Sequence, residues 1–178
     1  MQAFQKDRFS HARNDVRVIN ALAAEGPAHI IELGDRRFQK HVQAVARQIL
    51  QNGARLVLLA GPSSSGKTTT AHMLAQALTE LGHPAQIIST DDFYLGAAHA
   101  PLRPDGTPDL ECPQAMDLAA LQQCLRDLVR TGGCDTPVFD FARQMSVPNG
   151  RTVRLAENGV AVVEGIHALN PLLTKLVP

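Results

Sequence analysis

Tryptophan is absent from the chain and tyrosine occurs once, so any platform on which a planar ligand stacks has to come from six phenylalanines and Tyr94. A charge excess of either sign is absent too. The 17 basic and 17 acidic side chains cancel, and no global field draws in nucleic acid or an anionic membrane. No segment approaches the roughly 18 consecutive apolar residues of a membrane span, and the opening stretch MQAFQKDRFSHARND lacks the apolar centre of a secretory leader. Three cysteines, Cys112, Cys124 and Cys134, are odd in number, lack CxxC spacing and have no zinc-like His pairing. They read as reduced thiols buried as small apolar side chains. Together these absences predict a soluble, cytoplasmic protein with no nucleic-acid or membrane partner; self-association is left open. The 178 residues, 44% of them hydrophobic, suffice for one domain with a short appendage.

What the chain does have is the run Gly61-Pro62-Ser63-Ser64-Ser65-Gly66-Lys67-Thr68-Thr69, which follows the apolar stretch Leu56-Val57-Leu58-Leu59-Ala60. It is a complete GxxxxGK[ST] phosphate loop after a strand-like segment. Two glycines and three serines keep bulk out of the way, so successive backbone N–H groups can turn inward as an anion cradle, and the following helix adds its positive end. Lys67 is placed to reach the β- and γ-phosphates of a nucleotide, and the Thr68 hydroxyl to ligate Mg²⁺. The helix after the loop carries Ala71, Leu74, Ala75, Leu78 and Leu81 on one face, and Gly82 with Pro84 ends it.

Residues 1–53 read as an N-terminal helical segment. Ser10 caps a first helix bearing Ala12, Val16, Ile19 and Ala23 that Gly26 terminates; Pro27 opens a second with Phe38, Val42, Val45 and Ile49 on one side, stopped by Asn52-Gly53. Residues 54–178 form the phosphate-loop domain. Its strand, loop, helix, strand alternation predicts an α/β fold of P-loop NTPase type, a parallel sheet flanked by helices. Gln86–Thr90 is a second strand, residues 95–113 an irregular stretch with four prolines, and Asp117 the cap of a helix bearing Leu118, Leu121, Leu125 and Leu128. Val138–Gln144 and Thr152–Leu155 are expected to pair around a turn at Pro148-Asn149-Gly150, and Val160–Val163 is the last strand.

In doubly wound sheets ligands gather at the carboxyl ends of the strands. Three such ends carry chemistry here: the phosphate loop, Asp91-Asp92, and Glu164. An acid closing the buried strand VAVV can hold Mg²⁺, directly or through water, beside Thr68. Asp91, or Asp92 after it, can take the proton of an acceptor hydroxyl.

With these residues in place, the chain resembles the uridine kinase family of P-loop small-molecule kinases. The resemblance runs through GPSSSGKTTT at 61–70, STDDFYL at 89–95, PDLECPQAMDL at 108–118, TPVFDF at 136–141 and VVEGIHALNPLL at 162–173. It implies ATP and Mg²⁺, a nucleoside acceptor phosphorylated at its 5′-hydroxyl, Asp91 as the activating acid and Glu164 as the metal-associated one. It further implies Tyr94 as a contact near the base, Glu111, with Asp109 as alternative, on the ribose hydroxyls, and Phe139 and Phe141 against the base. Gln144 stands where well-known uridine kinases have a base-reading histidine, which leaves the base open. His167 and Asn170 read as loop-packing residues. The family continues into an Arg-rich lid, and the resemblance therefore also raises the expectation that this stretch binds Mg·ATP better than it transfers phosphate. Pantothenate, glycerate and ribulose phosphate are alternative acceptors, and a non-catalytic ATP-binding module is the alternative of a different class.

Overall fold

We describe residues 16–175 in a computed structural model; the expected Ser10 cap and Ala12 lie outside that range. The chain divides into two compact units at His41/Val42. Helices α1 (Val16–Glu25) and α2 (Pro27–Gln51) are separated by Gly26, and Pro27 occupies the first position of α2, where its missing N–H has no helical partner to lose. Residues 16–41 supply α1 and the first part of α2, with Arg36 and Glu32 paired one turn apart.

In the second unit, β1 (Leu56–Leu59) leads through the phosphate loop into α3 (Lys67–Glu80), followed by β2 (Ala85–Ser89) and a single 3₁₀ turn at Thr90–Phe93. After the irregular stretch come α4 (Leu118–Thr131), β3 (Gly133–Asp140), β4 (Met145–Arg154), β5 (Val160–Glu164) and the short α5 (Pro171–Thr174). The expected caps form. The Asp117 carboxylate accepts from Ala120 N at 2.9 Å, and Gly132 closes α4 in the left-handed region at φ 77°. Leu81 departs from the expected apolar face of α3: it lies just past the helix end and is exposed.

The last strand sits in the middle. The parallel sheet runs β1-β5-β2, with Leu59, Glu164 and Ser89 in register at its carboxyl edge. Every residue of β5 is buried, as a continuous apolar run predicts for a strand covered on both faces. The two-residue alternation then sorts the core. Ala161 and Val163 join Ile88, Leu121 and Leu125 on the α4 side, while Val160 and Val162 join Val42, Ala46, Leu74 and Leu78 on the other. Among the described residues no helix is long and apolar enough to cross a membrane.

Two expectations are corrected here. The hairpin of β3 and β4 turns at residues 141–144, with Asp140 paired to Met145, and Pro148-Asn149-Gly150 forms an irregularity inside β4 between the Val138–Val147 and Thr136–Arg151 pairs. Asn149 does adopt a positive φ of 53°. It serves a bulge, because the Asp140 carboxylate accepts from Ala142 N and Arg143 N and so supplies its own tight turn upstream. The cysteines also differ: Cys124 on α4 and Cys134 on β3 are joined as a disulfide, with Cα atoms 5.1 Å apart, and only Cys112 is free. That pairing depends on α4 packing against the start of β3, which residue spacing does not encode.

Candidate active site

The phosphate loop is shaped by close approach. A side chain at Gly61 would meet Ser65 Oγ at 2.9 Å and Lys67 Cγ at 3.3 Å, so glycine there leaves both side chains room to lie across the loop. Ser64 and Gly66 adopt positive φ angles of 60° and 81°, which turns successive N–H groups to one side. Gly66 caps α3 without a side-chain hydrogen bond, so no side chain of the cap competes for the first N–H groups of the helix. Lys67 Nζ crosses the loop and donates to Pro62 O at 2.8 Å. A cradle that a Cβ would fill, backed by an uncapped helix and an ammonium, fits the di- or triphosphate of a nucleotide.

Glu164 occupies the central strand end, 3% exposed. Two hydroxyls donate to its Oε1: Thr68 at 3.2 Å from the loop side and Ser89 at 2.9 Å from β2. Ser89 Oγ in turn accepts from Asp91 N at 3.3 Å. The loop, the central acid and the 3₁₀ turn are thus tied into one hydrogen-bonded line across three adjacent strand ends. No cluster of three or more His, Cys, Asp or Glu side chains forms a ready-made metal cage among the described residues. Mg²⁺ held by one carboxylate, one hydroxyl, phosphate oxygens and water needs no such cage.

A cleft of about 380 Å³ opens beside this line. It brings together Ser63, Lys67, Asp91, Tyr94, Glu111, Phe139, Phe141 and Gln144, to which the fold adds Gly96, Ala97, Leu110 and Ile166. Burial first, and then the Glu164 carboxylate, push the Asp91 carboxyl above its ordinary value, with Lys67 and His167 pulling the other way and Asp92 adding to the rise. Burial, reinforced by Asp91 and Glu111, pushes the Tyr94 phenol up to about 12, so it stays protonated and able to donate. Phe139 and Phe141 meet edge to face at 5.1 Å and 74°, with Phe141 78% exposed on the cleft rim. Gln144 has a positive φ of 55°, and its Nε2 donates to Phe141 O at 2.8 Å.

Other singled-out residues stand apart from the cleft. Asp109 pairs with Arg103 at 3.3 Å and accepts from Glu111 N at 3.2 Å, holding the loop that presents Glu111. His167 Nε2 contacts Glu111 O at 2.8 Å, and Asn170 caps α5 by accepting from Leu172 N. Asp92 turns away to accept from Phe139 N at 3.3 Å. Sequence reasoning missed Ser89, whose only signal is a hydroxyl closing an apolar strand, and Gly96, which carries none. A second cavity of about 320 Å³ lies at the amino ends of the strands, lined by Leu56, Leu128, Val129 and Leu155 among others. Its one charged lining residue, Arg55, is spent on the Ala156 and Gly159 carbonyls.

The sequence profile of the phosphoribulokinase / uridine kinase family matches residues 56–171. The chain belongs to that family. The matched range opens on β1 and closes at α5, so the phosphate loop, the Asp91 turn, the cleft and Glu164 all fall inside the family's shared core. Two relatives are the uridine kinase of Schizosaccharomyces pombe, 33% identical over 65% of this chain and 25% of that protein, and the uridine kinase of Mycoplasma genitalium, 30% identical over 62% and 51%. The chain thus spans about half or less of the length of these curated relatives. Among solved structures, one from Bacillus stearothermophilus described as "a Possible Uridine Kinase" superposes with a TM-score of 0.65 at 24% identity, covering 82% of this chain and 78% of that one. A D-glycerate 3-kinase from Cryptococcus neoformans var. grubii gives 0.51 at 22%, over 71% and 52%. Both likenesses bear on the fold alone. For this phosphoribulokinase / uridine kinase family member, they agree with a parallel sheet flanked by helices.

Proposed function

We propose that the protein is an ATP-dependent phosphotransferase of uridine kinase type that moves the γ-phosphoryl group to the 5′-hydroxyl of a nucleoside. The observation that carries the reading is the single cleft that joins the phosphate loop, through Lys67 and Asp91, to Glu111 and the Phe139–Phe141 pair. Phosphoryl transfer is mostly positioning and electrostatic stabilisation. When bound, Mg·ATP supplies the activated phosphoryl group and partial charge neutralisation. The chain's own residues do the rest. The loop amides and Lys67 hold the phosphate oxygens, Glu111 takes the ribose hydroxyls, and the two phenylalanines present edge and face to a planar base. Asp91, ionised, accepts the proton of the 5′-hydroxyl as its oxygen bonds to phosphorus and the bond to the ADP oxygen breaks. Gln144 can both donate to and accept from the base edge.

ADP release is measured with uridine, cytidine, pantothenate, glycerate and ribulose 5-phosphate as acceptors. The reading expects the highest kcat/KM with a pyrimidine nucleoside. A non-nucleoside alcohol that performs better moves the chain to another acceptor class, and ATP binding without acceptor-dependent ADP release leaves a nucleotide-binding module.

The metal assignment has its own test. Glu164 reaches the proposed Mg²⁺ position through the Thr68 hydroxyl, 3.2 Å away. Loss of such an outer partner typically costs roughly 10- to 100-fold in metal affinity or activity. Glu164→Gln keeps the shape and an acceptor oxygen for Thr68 and Ser89 but not the charge. We expect the Mg²⁺ concentration for half-maximal turnover to rise by about that factor, read from a titration at fixed ATP. An unchanged requirement would remove Glu164 from the metal site.

A further inference from the structure

Asp91 and the aromatic pair of the cleft belong to separate pieces of the fold, the 3₁₀ turn after β2 and the end of β3 with its turn into β4, and a small set of contacts pins one to the other. Asp92 Oδ1 accepts from Phe139 N at 3.3 Å. Ser146 Oγ lies 2.5 Å from Asp92 O and 2.6 Å from Tyr94 O, so one hydroxyl proton serves two carbonyls of the Asp91 segment. Gly96, at φ 88°, lies so close to Gln144 that a Cβ there would collide with the Gln144 carbonyl oxygen. The turn bearing Phe141 and Gln144 is therefore seated on the strand-end segment bearing Asp91 at three points.

Resting on the phosphotransferase reading, we infer that Asp92 and Ser146, neither of which lines the cleft, are positioning residues that set the separation between the Asp91 carboxylate and the Phe139–Phe141 pair. They thereby select the reach of the acceptor alcohol. A nucleoside whose base rests against that pair delivers its hydroxyl to Asp91 only if the separation matches the ligand. Hydrogen-bond reach at the base is about 2.6–3.2 Å, and a misplacement near 1 Å can cost on the order of a hundredfold in rate. Backbone carbonyls and an amide bonded to fixed side chains hold such a distance better than apolar packing alone, because hydrogen bonds are directional.

The test compares Ser146→Ala and Asp92→Ala with Ser146→Thr and Asp92→Asn, which retain the hydroxyl and an acceptor oxygen. The acceptors are uridine and its homologue with one extra methylene at the 5′-carbon. We expect the alanine variants to lower kcat on uridine by roughly 10- to 100-fold with KM unchanged, and to narrow the preference for uridine over the homologue. ATP affinity should hold, and the conservative variants should recover both kcat and preference. A purely structural role predicts loss of thermal stability with the acceptor preference intact, and that result overturns the proposal. If the wild-type protein phosphorylates no nucleoside, the phosphotransferase reading fails on its own terms. The clamp is then judged by hydrogen exchange. The Phe139 amide should exchange faster in Asp92→Ala than in the wild type, and equal rates would refute the clamp.

Discussion

Lys67→Ala weakens ATP binding by about 1.5–3 kcal/mol, the range for a hydrogen bond to a charged group, which is roughly a 10- to 150-fold rise in Kd. Lys67 is the one cation among the described residues lining the cleft, and its ammonium already sits across the loop, 2.8 Å from Pro62 O. Nothing else in the cleft replaces it. Alanine is also the best helix former at this first position of α3, so the fold should be unharmed and the loss confined to the ligand. Calorimetric titration of ATP into both proteins reads the effect directly. An unchanged Kd would mean that the loop does not hold the triphosphate. Lys67→Arg should restore little, because a planar guanidinium is not an ammonium in a cradle sized by Gly61 and Ser65.

The parts of the site that were legible in the sequence are those written by local chemistry. The phosphate loop declares itself because its geometry demands glycine, a lysine and a hydroxyl at fixed spacing. Glu164 was legible because a charge ending the apolar run Val160–Val163 has no role in a core. The α4 cap at Asp117 and the Gly26–Pro27 break between α1 and α2 were equally local. The missed features all depend on pairing between distant segments. Asn149-Gly150 is a sound turn signal, yet Asp140 offered a competing turn and the register chose it. Cys124 and Cys134 meet only because α4 lies against β3. Ser146 has no signal of its own. Its role arises when β4 passes the carbonyls of Asp92 and Tyr94.

Asp91→Asn should abolish most turnover while sparing ATP. The amide keeps the shape of the side chain but cannot take a proton, so kcat falls by roughly 10² to 10⁴, the usual worth of a positioned base, with the ATP Kd unchanged. The same substitution should also raise the thermal midpoint at neutral pH. Burial and the Glu164 carboxylate push the Asp91 pKa up from 3.8, so the folded state binds the proton more tightly than the unfolded one. The stability tied to that proton is fully present below the unfolded value and is lost as pH rises through the raised folded value. At pH 7 the ionised carboxylate is therefore a local burden that the asparagine relieves. The gain in melting temperature should shrink as pH is lowered toward and below 3.8, where both proteins are neutral at this position. On the activity side, the wild-type rate should climb with pH through the raised pKa, since only the ionised form is a base. Asp92→Asn serves as the neighbouring control. Its Oδ1 can still accept from Phe139 N, so turnover should stay near wild type. If Asp92→Asn loses turnover and Asp91→Asn does not, the base is one residue further along the 3₁₀ turn, and the line from Thr68 through Glu164 and Ser89 to Asp91 is structural.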